Sequence, residues 1–398
     1  MEEQKSWCEN LVSSFVDTFV DFCVTDGMFL PPSSPQSQSQ SQHQQQLQTY
    51  YSSSSSSNND TLNLNKDNKD RLIAVGDLHG DLPKTKESLR MAGLIDSDDS
   101  WSGGSSTLVQ IGDVLDRGGQ ELKILYFLEK LKRQALKSGG NVITMNGNHE
   151  IMNVDGDFRY VTPSALDEFN NWAYWYSIGD QIKTLHLHQN AHDLFDGIPL
   201  SFPRVKREYV QGFRNRIAAL RPNGPIATRF LSKNLTVVVV DESVFVHGGI
   251  LPNHVDYGFQ RINQEVSDWI NGFNKRVDSN LVRGRNSLVW SRIFSNELPK
   301  DCDCSLLQHV LETIPGARRM IMGHTIQSSG INAVCDNTAI RIDVGMSKGC
   351  INGLPEVLEI TQRSGVRILT SRQLQQIPAI VDSPDILIPL PKQVKVEA

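Results

Sequence analysis

Three short strings govern what this 398-residue chain can become: GDLHG at Gly76 to Gly80, GDVLDRG at Gly112 to Gly118, and GNHE at Gly147 to Glu150. Each follows a short apolar run, Leu72 to Val75, Leu108 to Ile111 and Val142 to Met145, bounded by polar residues or Gly as buried strands are. The leading glycines fall 36 and 35 residues apart, room for a helix that returns the chain to the next parallel strand. Glu121 to Leu136 supplies such a crossover helix, with apolar residues at three- and four-residue spacing and good helix formers throughout. The chain therefore reads as α/β. In layered α/β folds ligands bind at the carboxyl ends of strands, where these three loops converge.

The loops carry ligand chemistry. Asp77 and His79 form a D-x-H pair whose spacing turns both side chains to one side of an extended segment. Asp113 ends the second strand as a bridging carboxylate, and Asn148 adds a neutral oxygen donor. Two later imidazoles follow apolar runs, His247 in VFVHGG and His324 in MIMGHT. Oxygen and nitrogen ligands without thiolate suit manganese, iron or zinc, and manganese is the expected pair. A carboxylate bridging two such ions, ~3.5–4 Å apart, is the usual arrangement for displacement at phosphorus. Any one of these residues alone is more often a cap, a turn former or a core histidine. Five strand-end motifs in order, each with Gly beside the ligand, read together as a two-metal phosphoesterase.

Composition narrows the alternatives. A net charge of −6 leaves no basic footprint for nucleic acid or an anionic membrane, and no apolar run reaches the ~18 residues of a membrane span. Glu2 and Glu3 stand where a secretory signal or transit peptide needs positive charge. With six cysteines and no dense disulfide framework the cytosol is the expected location, an organelle such as the mitochondrion staying open by another route.

Residues 1–70 read as an N-terminal extension. Trp7 to Leu30 has helix-compatible apolar spacing and docks on the main domain or on a partner, or forms only a weak helix. Pro31 to Asp70, rich in Ser, Gln and Asn, reads as a disordered linker. The catalytic domain is expected over 71–371 and a tail over 372–398. Residues 155–227 leave the strand rhythm for a helical, aromatic-rich insert containing NNWAYWYS and His186, His188 and His192. Because every motif begins at Arg71 or later, removing Met1 to Asn68 is expected to leave the catalytic unit folded and active.

Two cysteine patterns compete. Cys335 to Arg341 has the C-x5-R spacing of thiol phosphatases, but it lacks Gly and reads as strand, Asp336-Asn337 turn, strand. Cys302 and Cys304 form a C-x-C pair in what reads as a surface loop.

With these motifs the chain resembles the PPP-type metallophosphatases and, among them, the Shewanella-like protein phosphatases of plants, in particular their non-plastid second type. The resemblance covers Arg71 to about Ser371 and implies an αββα sandwich of the calcineurin-like type, which agrees with strand-like runs in the second half, among them Leu235 to Val240 and Ile340 to Val344. It implies that Asp77, His79 and Asp113 hold one metal, and Asp113, Asn148, His247 and His324 the other. His149 would be the general acid, Asp116 its orienting partner, and Arg117 a phosphate grip. For the second phosphate-binding arginine the choice is Arg292 in SLVWSR, with Arg283 and Arg285 as competitors. The implied reaction is direct attack of a metal-bridging hydroxide on phosphoserine or phosphothreonine, with phosphotyrosine open, in phosphoprotein substrates. A dinucleoside tetraphosphatase on the same fold and a catalytically idle phosphoprotein-binding module are the alternatives. Asp343 to Gly349 reads DVGMSKG where the family's eukaryotic Ser/Thr enzymes carry a SAPNYC-like loop, so their toxin sensitivity is not implied.

Overall fold

The computed structural model describes residues 2–29, 71–187, 193–361 and 365–371. The first apolar runs form β1 (Leu72–Val75), β2 (Thr107–Gln110) and β3 (Asn141–Thr144), paired in parallel. Almost every side chain on them is buried, as a parallel sheet covered on both faces requires. The second half supplies β4 (Val237–Val240), β5 (Ser243–Val246), β6 (Arg319–Met322), β7 (Asn332–Val334), β8 (Ala339–Arg341), β9 (Glu356–Thr361) and β10 (Gly365–Thr370).

The strands make two five-stranded sheets, ordered β10-β9-β1-β2-β3 and β4-β5-β6-β8-β7. The β9–β10 pair returns to the first sheet and runs antiparallel to β1. A parallel bridge between Met145 and Leu235 joins the sheets beyond β3. Helices lie outside, giving the expected αββα sandwich: α1 (Glu2–Val24), α2 (Leu82–Met91), α3 (Glu121–Lys137), α4 (Asn148–Val154), α5 (Pro163–Leu187), α6 (Val210–Leu220) and α7 (Pro225–Arg229) come first. They are followed by α8 (Pro252–Tyr257), α9 (Phe259–Ile270), α10 (Ser279–Val282) and α11 (Cys304–Thr313). No described helix is long and apolar enough to cross a membrane.

The N-terminal helix takes one of its expected placements, on the main domain. Val16, Val20 and Val24 are buried, and Val20 packs where Gly179 of α5 leaves room. Asp21 accepts from Arg229 at 2.6 and 2.8 Å, and the same guanidinium donates to Glu129 of α3 at 2.9 Å. Phe29 closes the turn against Tyr126, ring centroids 5.7 Å apart. Docking on the main body is thus the arrangement adopted, and Val16, Val20, Val24 and Phe29 share the core. The expected linker from Pro31 to Asp70 and the tail 372–398 lie outside the described residues.

Between Asp155 and Ala227 the described regular elements are all helical. Phe169 and Trp172 are buried, and Trp175 meets Phe19 of α1 edge-on at 5.7 Å, so these aromatics pack helices together. His186 is exposed, while His188 and His192 lie outside the described residues. Two differences concern the C-terminal half. The strand expected to reach Val344 ends at Arg341, because Asp343 turns inward and accepts Gly345 N–H at 2.8 Å. The C-x-C pair is not an unreacted surface pair: Cys304 is disulfide-bonded to Cys335, and Cys302 is buried beneath Arg341. Cys335 therefore offers no free thiol, and Cys335, Asp336 and Asn337 all have positive φ in a tight strand connection.

Candidate metal centre

The site lies where the ends of β1, β2 and β3 in one sheet face the ends of β5 and β6 in the other. The strand-to-loop turns are sharp. His79, Asp113, Asp116, Arg117 and His324 all adopt positive φ, between +43° and +68°. Such backbone costs on the order of 1–3 kcal/mol per residue and persists only where the surroundings over-determine it. Gly147 shows why small residues stand between the ligands, since a Cβ there would lie 2.2 Å from Asp113 Oδ1.

One carboxylate secures these turns. Glu150 is fully buried and accepts four backbone N–H groups: Asp113 at 2.8 Å, Val114 at 2.8 Å, Leu115 at 3.0 Å and Gly147 at 2.7 Å. It holds the GDVLDRG loop to the start of α4 and satisfies donors that would otherwise be orphaned.

Asp113 occupies the centre. Its Oδ2 lies 3.2 Å from His247 Nε2, 3.7 Å from His79 Nε2 and 3.8 Å from His149 Nε2, while Oδ1 accepts His149 N–H at 3.0 Å. Two clusters share it: ligand atoms of His79, Asp113 and His149 lie within 4.8 Å of one another, and so do those of Asp113, His247 and His324. Asn148 Oδ1 joins the second group, 3.0 Å from His247 Nε2. Asp77 accepts the His324 N–H at 3.3 Å. The predicted ligands are therefore brought together.

The donor set fits divalent metal. His79 Nδ1 donates to Leu115 O at 2.9 Å and His247 Nδ1 to Ile111 O at 3.0 Å, so each presents the lone pair of Nε2 to the centre. His324 Nε2 is buried with no hydrogen-bond partner. Burial pulls His79 down to about 4 and, with His247 and Arg292 nearby, holds His324 well below the usual imidazole value, which keeps both neutral. Burial also pushes Asp77 well above the carboxylate range, aided by Asp343 and Asp113. The carboxyl groups of Asp77, Asp113 and Asp343 facing one another beside the neutral imidazoles of His79 and His324 form a site for cations.

A hydrogen-bonded histidine–aspartate pair stands beside this centre. His149 Nδ1 donates to Asp116 Oδ2 at 2.6 Å. Burial opposes charge on the ring, but Asp113 and Asp116 outweigh it and raise His149 above the ordinary imidazole value. Tyr160 packs on His149 at 5.1 Å and under the Arg117 guanidinium at 4.8 Å, while Arg117 Nε is buried without a partner. Arg292 Nη1 donates to His324 O at 2.9 Å and Thr325 Oγ1 at 2.8 Å, which puts it at the rim. Its competitors are elsewhere: Arg283 is paired with Asp155 at 2.7 Å and stacked on Trp269, and Arg285 is exposed. Sequence reasoning missed Glu150, Asp343 and Arg216. The first two stood inside strings already singled out, whereas Arg216, in α6, had no local signal.

Fold and site together define a calcineurin-like metallophosphoesterase, and residues 70–208 match the family model described as calcineurin-like phosphoesterase. Within that class the chain belongs to the Shewanella-like protein phosphatases. It is 55% identical over 399 residues to Shewanella-like protein phosphatase 2 of Arabidopsis thaliana, covering 98% of this chain and 96% of the relative. It is also 30% identical over 283 residues to Shewanella-like protein phosphatase 1 of Plasmodium berghei, covering 70% and 67%. Among solved structures, the cold-active protein-tyrosine phosphatase of a psychrophilic Shewanella shares the fold, with a TM-score of 0.52 at 20% identity over 76% of this chain and 81% of that one. The protein is thus a metal-dependent protein phosphatase.

Proposed function

We propose that the enzyme hydrolyses phosphoserine and phosphothreonine monoesters in proteins, with phosphotyrosine open as a further substrate, and that manganese is its working metal. The observation that carries the reading is the shared position of Asp113 in two adjoining ligand clusters. Asp77, His79 and Asp113 would hold one ion, and Asp113, Asn148, His247 and His324 the other. Bound there, two divalent ions supply Lewis acidity and lower the pKa of water toward neutrality.

The chain's own groups do the rest. Arg117 and Arg292 offer forked donors that match the phosphoryl oxygens. His149, carrying a proton on Nε2, gives it to the departing seryl or threonyl oxygen, and Asp116 fixes the ring through Nδ1 and supports its charge. Solvent then restores the proton to His149.

Phosphopeptides and a dinucleoside tetraphosphate assayed side by side, with manganese, iron or zinc added, test the reading. Preferred turnover of phosphoserine and phosphothreonine peptides with manganese is expected. Preference for the dinucleotide favours the nucleotide hydrolase, and metal loading without turnover of either favours the binding module. Because His149 Nε2 also neighbours Asp113, His149→Asn separates acid from ligand. As an acid, its loss slows phosphopeptide turnover by ~10²–10⁴-fold with two metals retained and spares an activated aryl phosphate. Loss of one metal instead would make it a ligand.

A further inference from the structure

Arg216 is fully buried, and its guanidinium is engaged on every side. Nε donates to Asn153 Oδ1 at 2.8 Å, Nη1 to Glu121 Oε2 at 2.6 Å and Nη2 to Asp116 Oδ1 at 3.0 Å. The Phe169 and Phe158 rings cover it, with centroids 4.7 and 5.6 Å away. A buried arginine is tolerated only when its charge is matched and its donors are met, and both conditions hold here.

The residue reaches this position from outside the two-sheet frame. It lies on α6, which presses close to α5 because Gly212 carries no side chain: a Cβ there would lie 2.7 Å from Leu166 Cβ. Asn215 Nδ2 donates to Asn170 Oδ1 at 2.8 Å and fixes the same crossing.

Asp116 divides its oxygens. Oδ2 takes the His149 Nδ1 proton, while Oδ1 takes Arg216 and, at 3.1 Å, Asn153 Nδ2. With Oδ1 held from two sides the carboxylate cannot turn, and Oδ2 stays aimed at the imidazole. Asn153 also donates to His149 O at 2.8 Å, which ties α4 into the same group. Glu121 completes it, accepting the Asp116 N–H at 2.9 Å.

We propose that Arg216 is a positioning residue for ester cleavage: acting through Asp116, it fixes the His149 ring that protonates the leaving oxygen. The helical insert is then a working part of the catalytic apparatus as well as a packing element. The inference rests on His149 serving as the acid.

The test uses the full-length, metal-loaded enzyme and the variants Arg216→Met, Arg216→Lys and Arg216→Met with Glu121→Gln, alongside His149→Asn. Two readouts are taken: kcat and KM on a phosphothreonine peptide and on 4-nitrophenyl phosphate with manganese, and, on enzyme loaded instead with diamagnetic zinc, the downfield proton resonance of His149 Nδ1–H, assigned by its loss in His149→Asn. Arg216→Met is expected to lower kcat on the peptide by about tenfold to a hundredfold, with a clearly smaller loss on the aryl phosphate and KM within about twofold. Arg216→Lys should regain part of that loss, and the resonance should shift or vanish in Arg216→Met. If Arg216→Met fails to fold, the double variant, which also removes the unmatched Glu121 charge, carries the measurement. Equal losses on both substrates, or a resonance indifferent to Arg216, overturns the proposal. A wild-type enzyme that cleaves neither substrate while its resonance still depends on Arg216 overturns the functional reading and leaves the positioning intact.

Discussion

His79 shows what burial does to a ligand before any metal arrives. In an unfolded chain its imidazole takes a proton near pH 6.5, but burial holds the folded value at about 4. Between those values the unfolded state binds more protons, so this residue's contribution to stability is complete above about pH 6.5 and is lost as pH falls toward 4. At about 1.4 kcal/mol per pH unit of separation, the full effect is roughly 3 kcal/mol. Urea unfolding of chelator-treated protein should therefore weaken between pH 7 and pH 4.5 more steeply in the native chain than in His79→Asn. Parallel curves would refute the assignment. Read as sequence, His79 was legible because D-x-H follows a strand, while Glu150 was visible only as the end of GNHE. Its function, four backbone N–H groups on one carboxylate, depends on bringing residues 113–115 against 147, which no local pattern encodes.

Elements were legible where burial is uniform. Four consecutive valines in β4 and the apolar runs of β1 to β3 read as strands because both faces are covered. The end of β8 was not, because a carboxyl needed in the interior overrides the apolar run that continues past it. Helix α1 is the larger case. Its periodicity was plain, but whether it docks depended on Asp21 meeting Arg229, residues 208 positions apart. Each large apolar side chain it buries contributes about 1.5–3 kcal/mol. Deleting residues 1–29 is thus expected to lower the unfolding free energy by several kcal/mol and to expose Trp175, which Phe19 covers, to quenchers. Asp21→Ala alone should cost roughly 1.5–3 kcal/mol, because it strips a charged hydrogen-bond partner from Arg229. A truncated protein as stable as the full chain would show that the docked helix contributes nothing to stability.

At the scale of the molecule the centre is a joint between two sheets. Asp77, His79, Asp113 and Asn148 come from the strand ends of the first sheet, and His247 and His324 from those of the second. Metal bound there stabilises the native arrangement only, so its effect follows RT ln(1 + [L]/Kd), about 2.7 kcal/mol per site at a hundredfold excess over Kd. Removing metal with a chelator should accordingly lower the melting temperature, and returning manganese should restore it. Asp113→Asn separates this linkage from general packing. The substitution is nearly isosteric, but it removes the one carboxylate common to both ligand clusters. It should abolish hydrolysis and reduce metal content below one ion per chain, and added manganese should no longer raise the melting temperature. The apo variant should itself melt lower than the apo native chain, because burial of Asp113 is outweighed by His247, His149 and His79, which hold its carboxyl well below the usual range and lose that charge; the comparison therefore rests on the metal-induced shift within each protein. An Asp113→Asn protein that kept two metals, measured by elemental analysis after gel filtration, would remove Asp113 from its bridging position.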